Sequence, residues 1–381
     1  MKSFRSILIL LIIVLPYIAA QSFKLTPGDT LTSVSVSKER MLTLRIYAPE
    51  AAAVSVGGPD IPDQYRRQPM IKTADGVWEW TAGPLNAGAY RYQFTVNGLA
   101  VNDPKNPSVS ESNGNSWSML SVPGASFMET ANVPHGAVSE VQYYSTSLQR
   151  SRRMHVYTPP GYESGTAKYP VLYLLHGAMD CDDSWTSVGR AGVIMDNLLA
   201  AGKALPMIVV MPAGHTSAYR WGMPLSDPKR DEFTEDFRND IRPAVEKRYR
   251  TINDQQHRAI AGLSMGGLQT LNIAIPDLAD YSAIGVFSSG IFELGGMNFG
   301  ASGPSWEERH AAVMSNAALK KGLRTVWFAT GKEDFLLNVS QKSVDLLKKY
   351  GFTVEYKVTG GGHTWENWRE YLRDFTPLLF H

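Results

Sequence analysis

Arg258-Ala-Ile-Ala-Gly-Leu-Ser-Met-Gly-Gly267 is the stretch of sequence that decides the fold. An apolar run ends in Gly-X-Ser-X-Gly, and a helix-compatible segment follows, which is the context in which a serine serves as a nucleophile. Gly262 and Gly266 leave room for a turn in which a Cβ atom would collide with the neighbouring strand. We therefore expect Ser264 to have a strained backbone and a hydroxyl that projects above a sheet. A purely structural glycine-rich turn is the alternative.

The sequence around this stretch predicts an α/β domain over residues 138–381. A hairpin leads, and apolar strands then alternate with amphipathic helices, which is typical of a mainly parallel sheet covered on both faces. The predicted strands after the hairpin are Pro170–Leu175, Pro206–Met211, Arg258–Leu263, Ala283–Ser288, Arg324–Thr330 and Thr353–Thr359. The predicted helices are Ala191–Ala201, Glu235–Tyr249, Gly267–Ile275, Ser340–Tyr350 and Trp365–Leu379. Reactive groups gather at the carboxyl ends of such strands.

Residues 21–120 are predicted to form a small all-β sandwich in front of this domain. Short alternating runs are separated by glycine and proline, and Gly88–Val96 is the strongest of them. Its residues Tyr90, Tyr92, Phe94 and Val96 share one face. Residues 121–137 show no periodicity and are interpreted as a linker.

The first 20 residues are typical of a cleavable signal peptide. Lys2 and Arg5 precede an apolar core, Ile7–Leu15, and small residues follow. An uncleaved anchor is the alternative, but the apolar run is shorter than the roughly 20 residues that span a bilayer. We therefore expect a periplasmic or secreted protein with no integral membrane segment after cleavage.

The composition excludes several other classes of protein. A net charge of +1 over 381 residues gives no electrostatic case for a nucleic-acid partner. Cys181 is the only cysteine, so an intramolecular disulfide is impossible. The histidines and carboxylates lack metal-ligand spacing, and there is no phosphate-binding loop. The sequence predicts neither a metal nor a cofactor.

A serine hydroxyl needs a base within hydrogen-bond reach, and in this fold the chain order is serine, acid, histidine. His363 lies in Gly360-Gly-Gly-His-Thr-Trp365, after a predicted strand and before a helix, and is the predicted base. The acid should follow the preceding strand, where Glu333 and Asp334 are both available. We favour Asp334, and we expect the other carboxylate to be solvated.

A second strand ends in His176-Gly177 and predicts the oxyanion site. Backbone N–H groups of Gly177, Ala178 and Met265 would face the developing oxyanion. His176 is interpreted as a hydrogen-bonded scaffold residue, with a second catalytic histidine as the alternative. His215 lines the pocket or is a satisfied loop histidine.

Two tryptophans are candidate substrate contacts. Trp221 follows Arg220 in a predicted pocket loop. Trp306 belongs to an insertion-like region, residues 290–318, with Phe292 and Phe299. These aromatic residues either wall a pocket or pack beneath it.

Taken together, the motifs over residues 138–381 resemble the esterase D-like group, which includes the feruloyl and acetyl xylan esterases of carbohydrate esterase family 1. The resemblance rests on His176-Gly177, Pro206–Pro212, Gly262–Gly267, Phe287–Ser289, Gly331–Asp334 and Gly361–Trp365. It implies an α/β-hydrolase fold and a serine esterase. The family's nucleophile, acid and base correspond to Ser264, Asp334 and His363.

The front domain resembles an early-set sandwich similar to carbohydrate-binding module family 48. The resemblance rests on Gly76–Trp80, Gly88–Phe94, Asn97-Gly98 and Asp103-Pro104. No sugar site is assigned to it, because Trp78 and Trp80 share a strand face and at least one of them is a core candidate.

The leading hypothesis is an exported esterase that acts on feruloylated xylan or its oligosaccharides and releases ferulate-type acids. An acetyl xylan esterase uses the same machinery with a smaller acyl pocket. A siderophore esterase for a catecholate trilactone is a third possibility, for which a basic cluster is expected and not found in the sequence. A carbohydrate-binding protein with a degenerate hydrolase domain is the non-enzyme alternative.

Overall fold

The computed structural model describes residues 25–62, 66–217, 231–297 and 303–381. Within these ranges, no helix combines the length and the apolar character needed to cross a bilayer. Two structural regions follow one another along the chain, a β-sandwich and an α/β domain.

The front region packs two sheets against each other, after a short helix α1 (Pro27–Thr30). One sheet has the strand order β1-β2-β6-β5, and the other has the order β4-β3-β7-β10-β9 with β8 beside β7. The strands are β1 (Val34–Val36), β2 (Leu42–Tyr47), β3 (Val54–Gly57), β4 (Gln68–Pro69), β5 (Ile71–Lys72), β6 (Val77–Ala82), β7 (Gly88–Val96), β8 (Leu99–Val101), β9 (Val109–Ser112) and β10 (Asn115–Val122).

Strand β7 has the predicted apolar face, with an additional feature. Tyr90, Tyr92 and Phe94 are buried in the sandwich core, as their shared face predicts. Arg91, on the opposite face of the strand, is buried as well. Arg91 is buried because this second face packs against the α/β domain, where Ala89 joins a core cluster of that domain.

The α/β domain is built on a sheet with the order β11-β12-β14-β13-β15-β16-β17-β18. Strands β11 and β12 form the predicted antiparallel hairpin, and the strands from β14 onward along the order run parallel. The strands are β11 (Ala137–Ser145), β12 (Arg150–Thr158), β13 (Val171–Leu175), β14 (Ile208–Pro212), β15 (Arg258–Leu263), β16 (Ala283–Phe287), β17 (Thr325–Gly331) and β18 (Glu355–Thr359).

Helices cover both faces of this sheet, which explains why its strands are apolar throughout. They are α2 (Ala191–Ala200), α3 (Glu232–Asp236), α4 (Arg242–Arg248), α5 (Met265–Ala274), α6 (Trp306–Ser315), α7 (Ala317–Lys320), α8 (Leu337–Lys349) and α9 (Trp365–Phe375). Side chains from α3, α4, α5 and α8 join the core cluster on one face, and those from α2 and α9 join the cluster on the other. Successive strand residues such as Leu172 and Tyr173 belong to opposite clusters, as strand geometry requires.

The predicted fold class, an α/β-hydrolase domain behind a small all-β sandwich, agrees with this architecture. Two local predictions were incomplete. The helix predicted over Glu235–Tyr249 is interrupted by a π-helical turn, Phe237–Ile241. Helices α6 and α7 occupy part of residues 290–318, where no helix was predicted. Helix α6 begins with a capping box of Ser305 and Glu308, and it is too polar for an amphipathic pattern to reveal it.

Substitution of Gly262, the single glycine of β15, tests the backbone packing beneath the turn that carries Ser264. A Cβ atom there would lie 2.3 Å from the carbonyl oxygen of Gly266. Because overpacking typically costs about 1–3 kcal/mol and a backbone atom cannot rotate away, we expect Gly262→Ala to lower the free energy of unfolding by at least ~3 kcal/mol in urea titrations. Gly360→Ala is the matched control, since a Cβ atom there meets nothing within 4 Å. Equal stability of the two variants would contradict the packing.

Candidate active site

Ser264 lies at the sharp turn between β15 and α5. Its φ of 51° and ψ of −119° fall in a region that residues other than glycine rarely adopt. The turn fits only because its neighbours lack side chains, since a Cβ atom on Gly266 would lie 2.6 Å from the carbonyl oxygen of His176. The serine N–H donates to the carbonyl of Phe287 at 2.9 Å, which ties the turn to the adjacent strand β16.

The structure brings Ser264, His363 and Asp334 together at the carboxyl ends of three strands. Nε2 of His363 lies 2.9 Å from the hydroxyl oxygen of Ser264. Nδ1 of the same ring lies 3.0 Å from each carboxylate oxygen of Asp334. A carboxylate can only accept here, so Nδ1 carries a proton and neutral His363 has a free lone pair on Nε2 for the serine. This arrangement can withdraw the serine proton.

Asp334, and not Glu333, faces the histidine. The Asp334 side chain is fully buried, while that of Glu333 is exposed and pairs with Lys332. Burial by itself raises the pKa of Asp334, but the hydrogen bond to His363 and the N–H of Leu336 outweigh burial and hold that pKa below its ordinary value. The carboxylate is therefore ionised at neutral pH and oriented from two sides.

A close backbone contact sets the distance between the acid and the base. A Cβ atom on Gly331, at the end of β17, would lie 2.1 Å from the carbonyl oxygen of Gly361 in the loop that carries His363. Gly361 has a φ of +79°, which favours glycine. The glycines around His363 thus serve close approach as well as loop conformation.

Two histidines hold the predicted oxyanion turn, which comprises residues 177–180. Nδ1 of buried His176 donates to the carbonyl of Gly177 at 2.8 Å, and its Nε2 accepts from the N–H of Gly214 at 2.8 Å. Nε2 of His215 donates to the carbonyl of Ala178 at 2.8 Å. Burial lowers the pKa of both imidazoles to about 4, so both are neutral at pH 7. His176 therefore has the geometry of a scaffold residue, and His215 contacts the same turn.

The turn itself lies beside Ser264. A Cβ atom on Gly177 would lie 3.5 Å from Cβ of Ser264. Met265 is the first residue of α5, and the first N–H groups of a helix have no partner within the helix. The N–H groups of Gly177, Ala178 and Met265 remain the predicted oxyanion donors.

Two of the aromatic residues considered as substrate contacts, Trp306 and Phe292, are buried. Trp306 is only 3% exposed, packs in the domain core and donates its indole N–H to Asn272, so it offers almost no surface to a substrate. Phe292 is also buried, in a small cluster with Leu336. Arg220, Trp221 and Phe299 lie outside the described residues. In the front region, Trp78 is buried and Trp80 packs partly against the same core.

Two exposed apolar side chains near the triad were missed from the sequence. Phe335 is 72% exposed, and its ring lies 4.5 Å from that of His363. Met179, in the oxyanion turn, is 52% exposed. The signal for Phe335 was its position directly after the acid, but only the folded loop shows that it faces solvent beside the base.

Metal-ligating groups and the single cysteine also bear on the chemistry of the site. Among the described residues, no group of three histidine, cysteine, aspartate or glutamate side chains is arranged to hold a metal ion. Burial raises the pKa of the Cys181 thiol to about 12, so this cysteine is not a competing nucleophile at neutral pH.

Two family models relate this fold and site to known proteins. Residues 145–378 match the family model described as putative esterase, and residues 33–113 match that of carbohydrate-binding module 48, the isoamylase N-terminal domain. The chain therefore belongs to the putative esterase family and carries a module-48-like front domain.

Similar proteins agree with this membership. The chain is 30% identical over 359 residues to an endo-1,4-beta-xylanase/feruloyl esterase from Xylanibacter ruminicola, covering 91% of this chain and 45% of that protein. It thus spans under half of that relative. An acetyl esterase from Caldicellulosiruptor saccharolyticus is 22% identical, over 62% of this chain and 95% of its own.

Solved structures give the same fold. A ferulic acid esterase is 29% identical with a TM-score of 0.54, covering 64% of this chain and 97% of its own. The enterobactin esterase from Shigella flexneri, with 2,3-di-hydroxy-N-benzoyl-glycine present, covers 92% of this chain and 96% of its own. Its TM-score is 0.65 at 18% identity, so this likeness concerns the fold of both regions.

Asp182, two residues beyond the oxyanion turn's Asp180, anchors that loop to strand β12. Its carboxylate accepts from Nε of Arg153 at 2.7 Å and lies 2.9 Å from Nδ1 of His155. Burial raises the pKa of Asp182, but these two partners together lower it to about 2. A depressed pKa contributes stability that is present above the ordinary value of 3.8 and is lost as the pH falls through about 2.

We therefore expect Asp182→Asn to lower the free energy of unfolding by about 2 kcal/mol at pH 7. The difference from the parent should shrink between pH 4 and 2, as the parent's Asp182 becomes protonated. Denaturant titrations across this range measure it. Asp254→Asn, which removes an exposed aspartate–histidine pair, is the control and should have a much smaller effect. A difference independent of pH would contradict the assignment.

Proposed function

We propose that this protein is an exported serine esterase that releases ferulate-type acids from feruloylated xylan or its oligosaccharides. The observation that carries the catalytic part is the unbroken chain of hydrogen bonds from the Ser264 hydroxyl through His363 to buried Asp334. Each residue has the partner that its role needs.

In the first half of the reaction, the Ser264 oxygen attacks the ester carbonyl while its proton moves to Nε2 of His363. Asp334 stabilises the imidazolium that forms. The tetrahedral oxyanion accepts hydrogen bonds from the backbone N–H groups of the oxyanion turn and of Met265. When the intermediate collapses, the bond to the sugar oxygen breaks, and His363 returns the proton to that oxygen.

In the second half, water attacks the acyl-enzyme. His363 takes a proton from the water, the new oxyanion uses the same donors, and the bond between the acyl carbon and Ser264 breaks. The serine recovers its proton and the free acid leaves. No cofactor or metal is required at any step.

An aromatic acyl group is supported by the apolar surface beside the triad. Phe335 is exposed next to the ring of His363, and Met179 is exposed two residues after Gly177. Exposed apolar side chains that flank a reactive site provide stacking and contact area for an aromatic ring, and acetate would leave them unused. The similarity to the xylanase/feruloyl esterase and to the ferulic acid esterase supports the same acyl group.

A polysaccharide leaving group is supported by the front region. The turn between β9 and β10 reaches the oxyanion turn, where the N–H of Asn113 lies 3.4 Å from the carbonyl of Met179. Glu111 and Asn113 also line a cavity of about 310 Å³ with Arg150 and His215. Polar groups of both regions thus line a cavity next to the histidines that hold the oxyanion turn, which supports binding of a sugar chain there.

Acetyl xylan esterase activity is the second candidate, because the same triad serves acetate and an acetyl esterase is among the relatives. A catecholate trilactone esterase is the third, prompted by the two-region likeness in fold to the enterobactin esterase. Export is part of the proposal because of the basic and apolar segments in residues 1–20.

A panel of methyl ferulate, feruloylated arabino-oligosaccharide, acetylated xylan and a catecholate trilactone tests the proposal. We expect the highest kcat/KM on the feruloylated oligosaccharide, since its aromatic ring has Phe335 to contact and its sugar has the polar cavity. Ser264→Ala should lower kcat by a factor of at least ~10⁴ on every substrate. Preference for acetate would establish the second candidate. Binding of xylan without turnover of any ester would revive the non-enzyme alternative.

A further inference from the structure

One buried arginine links the front region to the active site. Arg91 lies on β7, and its guanidinium forms a two-pronged ion pair with Asp60 of the same region, at 2.7 and 3.0 Å. Its remaining terminal nitrogen donates to Asp180 of the α/β domain at 2.8 Å. The side chains of Arg91 and Asp180 are each only 4% exposed. Burial of such a pair is costly unless all its members are matched, so the contact is a specific one.

Asp180 ends the oxyanion turn. Its N–H donates to the carbonyl of Gly177 at 3.1 Å and closes the turn. One of its carboxylate oxygens would lie 3.3 Å from a Cβ atom on Gly177, and Cβ of Ser264 would lie 3.5 Å from the same point. The Asp180 carboxylate and Cβ of Ser264 therefore lie on the same side of Gly177.

This position makes the charge of Asp180 important. A bare carboxylate beside the oxyanion site would oppose the negative charge that develops on the substrate. Arg91 neutralises it and fixes its orientation with a charged hydrogen bond. The indole N–H of Trp365, two residues after the base, donates at 3.4 Å to the carboxylate oxygen of Asp180 that Arg91 also contacts.

The helix that follows the base is joined to the same strand. Arg369, on α9, donates to the carbonyl of Ala89 on β7 and to that of Val188. Strand β7 of the front region thus contacts both the oxyanion turn and the helix that begins after His363.

We propose that Arg91 is a positioning residue for ester hydrolysis, supplied by the front region, which holds the oxyanion turn in its catalytic form through Asp180. The inference rests on the proposed function, because it concerns the same reaction. By this inference, the front region affects the turnover of esters that carry no sugar, such as methyl ferulate.

The test measures kcat and KM on methyl ferulate for Arg91→Met, Asp180→Ala and the double variant. We expect each single change to lower kcat by about 10- to 100-fold with little change in KM, since a displaced oxyanion donor affects the transition state more than substrate binding. The double variant should resemble Asp180→Ala, because Arg91 acts through Asp180.

Arg45→Met is the matched control, because it removes an arginine–glutamate pair elsewhere in the front region and should leave kcat unchanged. Circular dichroism and thermal unfolding define the folded fraction, and each kcat is expressed per folded molecule. If Arg91→Met does not fold, the result for Asp180→Ala tests the inference, because Arg91 keeps its ion pair with Asp60 in that variant.

A parent enzyme inert on all esters would refute the proposed function. Unchanged kcat in Asp180→Ala, losses that multiply in the double variant, or a change in KM alone would overturn the inference about Arg91.

Discussion

Close backbone packing around Ser264 is the constraint on which the rest of the site depends. The strand before the serine and the helix after it cross where a Cβ atom on Gly262 would overlap the backbone of Gly266. A second contact of this kind, between Gly331 and Gly361, joins the loops of the acid and the base. Because both contacts exclude side chains, three strand ends converge closely enough for one imidazole to reach both the serine and the buried carboxylate.

The elements, and the strand ends at which Ser264, Asp334 and His363 lie, were predictable because they depend on local patterns. Apolar runs mark buried parallel strands, and the chain order of serine, acid and histidine follows from the order of the strands. The choice between Glu333 and Asp334 was harder, since both follow the same strand and only burial distinguishes them. Trp306 shows the limit of such reasoning, because its position in the chain does not reveal that helix α6 turns it into the core.

What the sequence did not reveal depends on contacts between distant segments. Arg91 and Asp180 are 89 residues apart, and the sequence around neither residue indicates a contact between the two regions. An arginine in an alternating strand is normally predicted to face solvent, and here a second domain covers it. The same holds for His215, whose contact with Ala178 follows from the packing of two loops. Of these two contacts, the one between Arg91 and Asp180 connects the front region to the α/β domain.

The central claim, that Ser264 carries the acyl group during turnover, is tested most directly by trapping the acyl-enzyme. Methyl ferulate is mixed with excess enzyme, the reaction is quenched in acid within milliseconds, and the digested protein is analysed by mass spectrometry. We predict a feruloyl adduct on the peptide that contains Ser264, formed before the free acid and lost at the rate of turnover. An adduct on another residue, or steady turnover by an enzyme without a serine at position 264, would contradict the account.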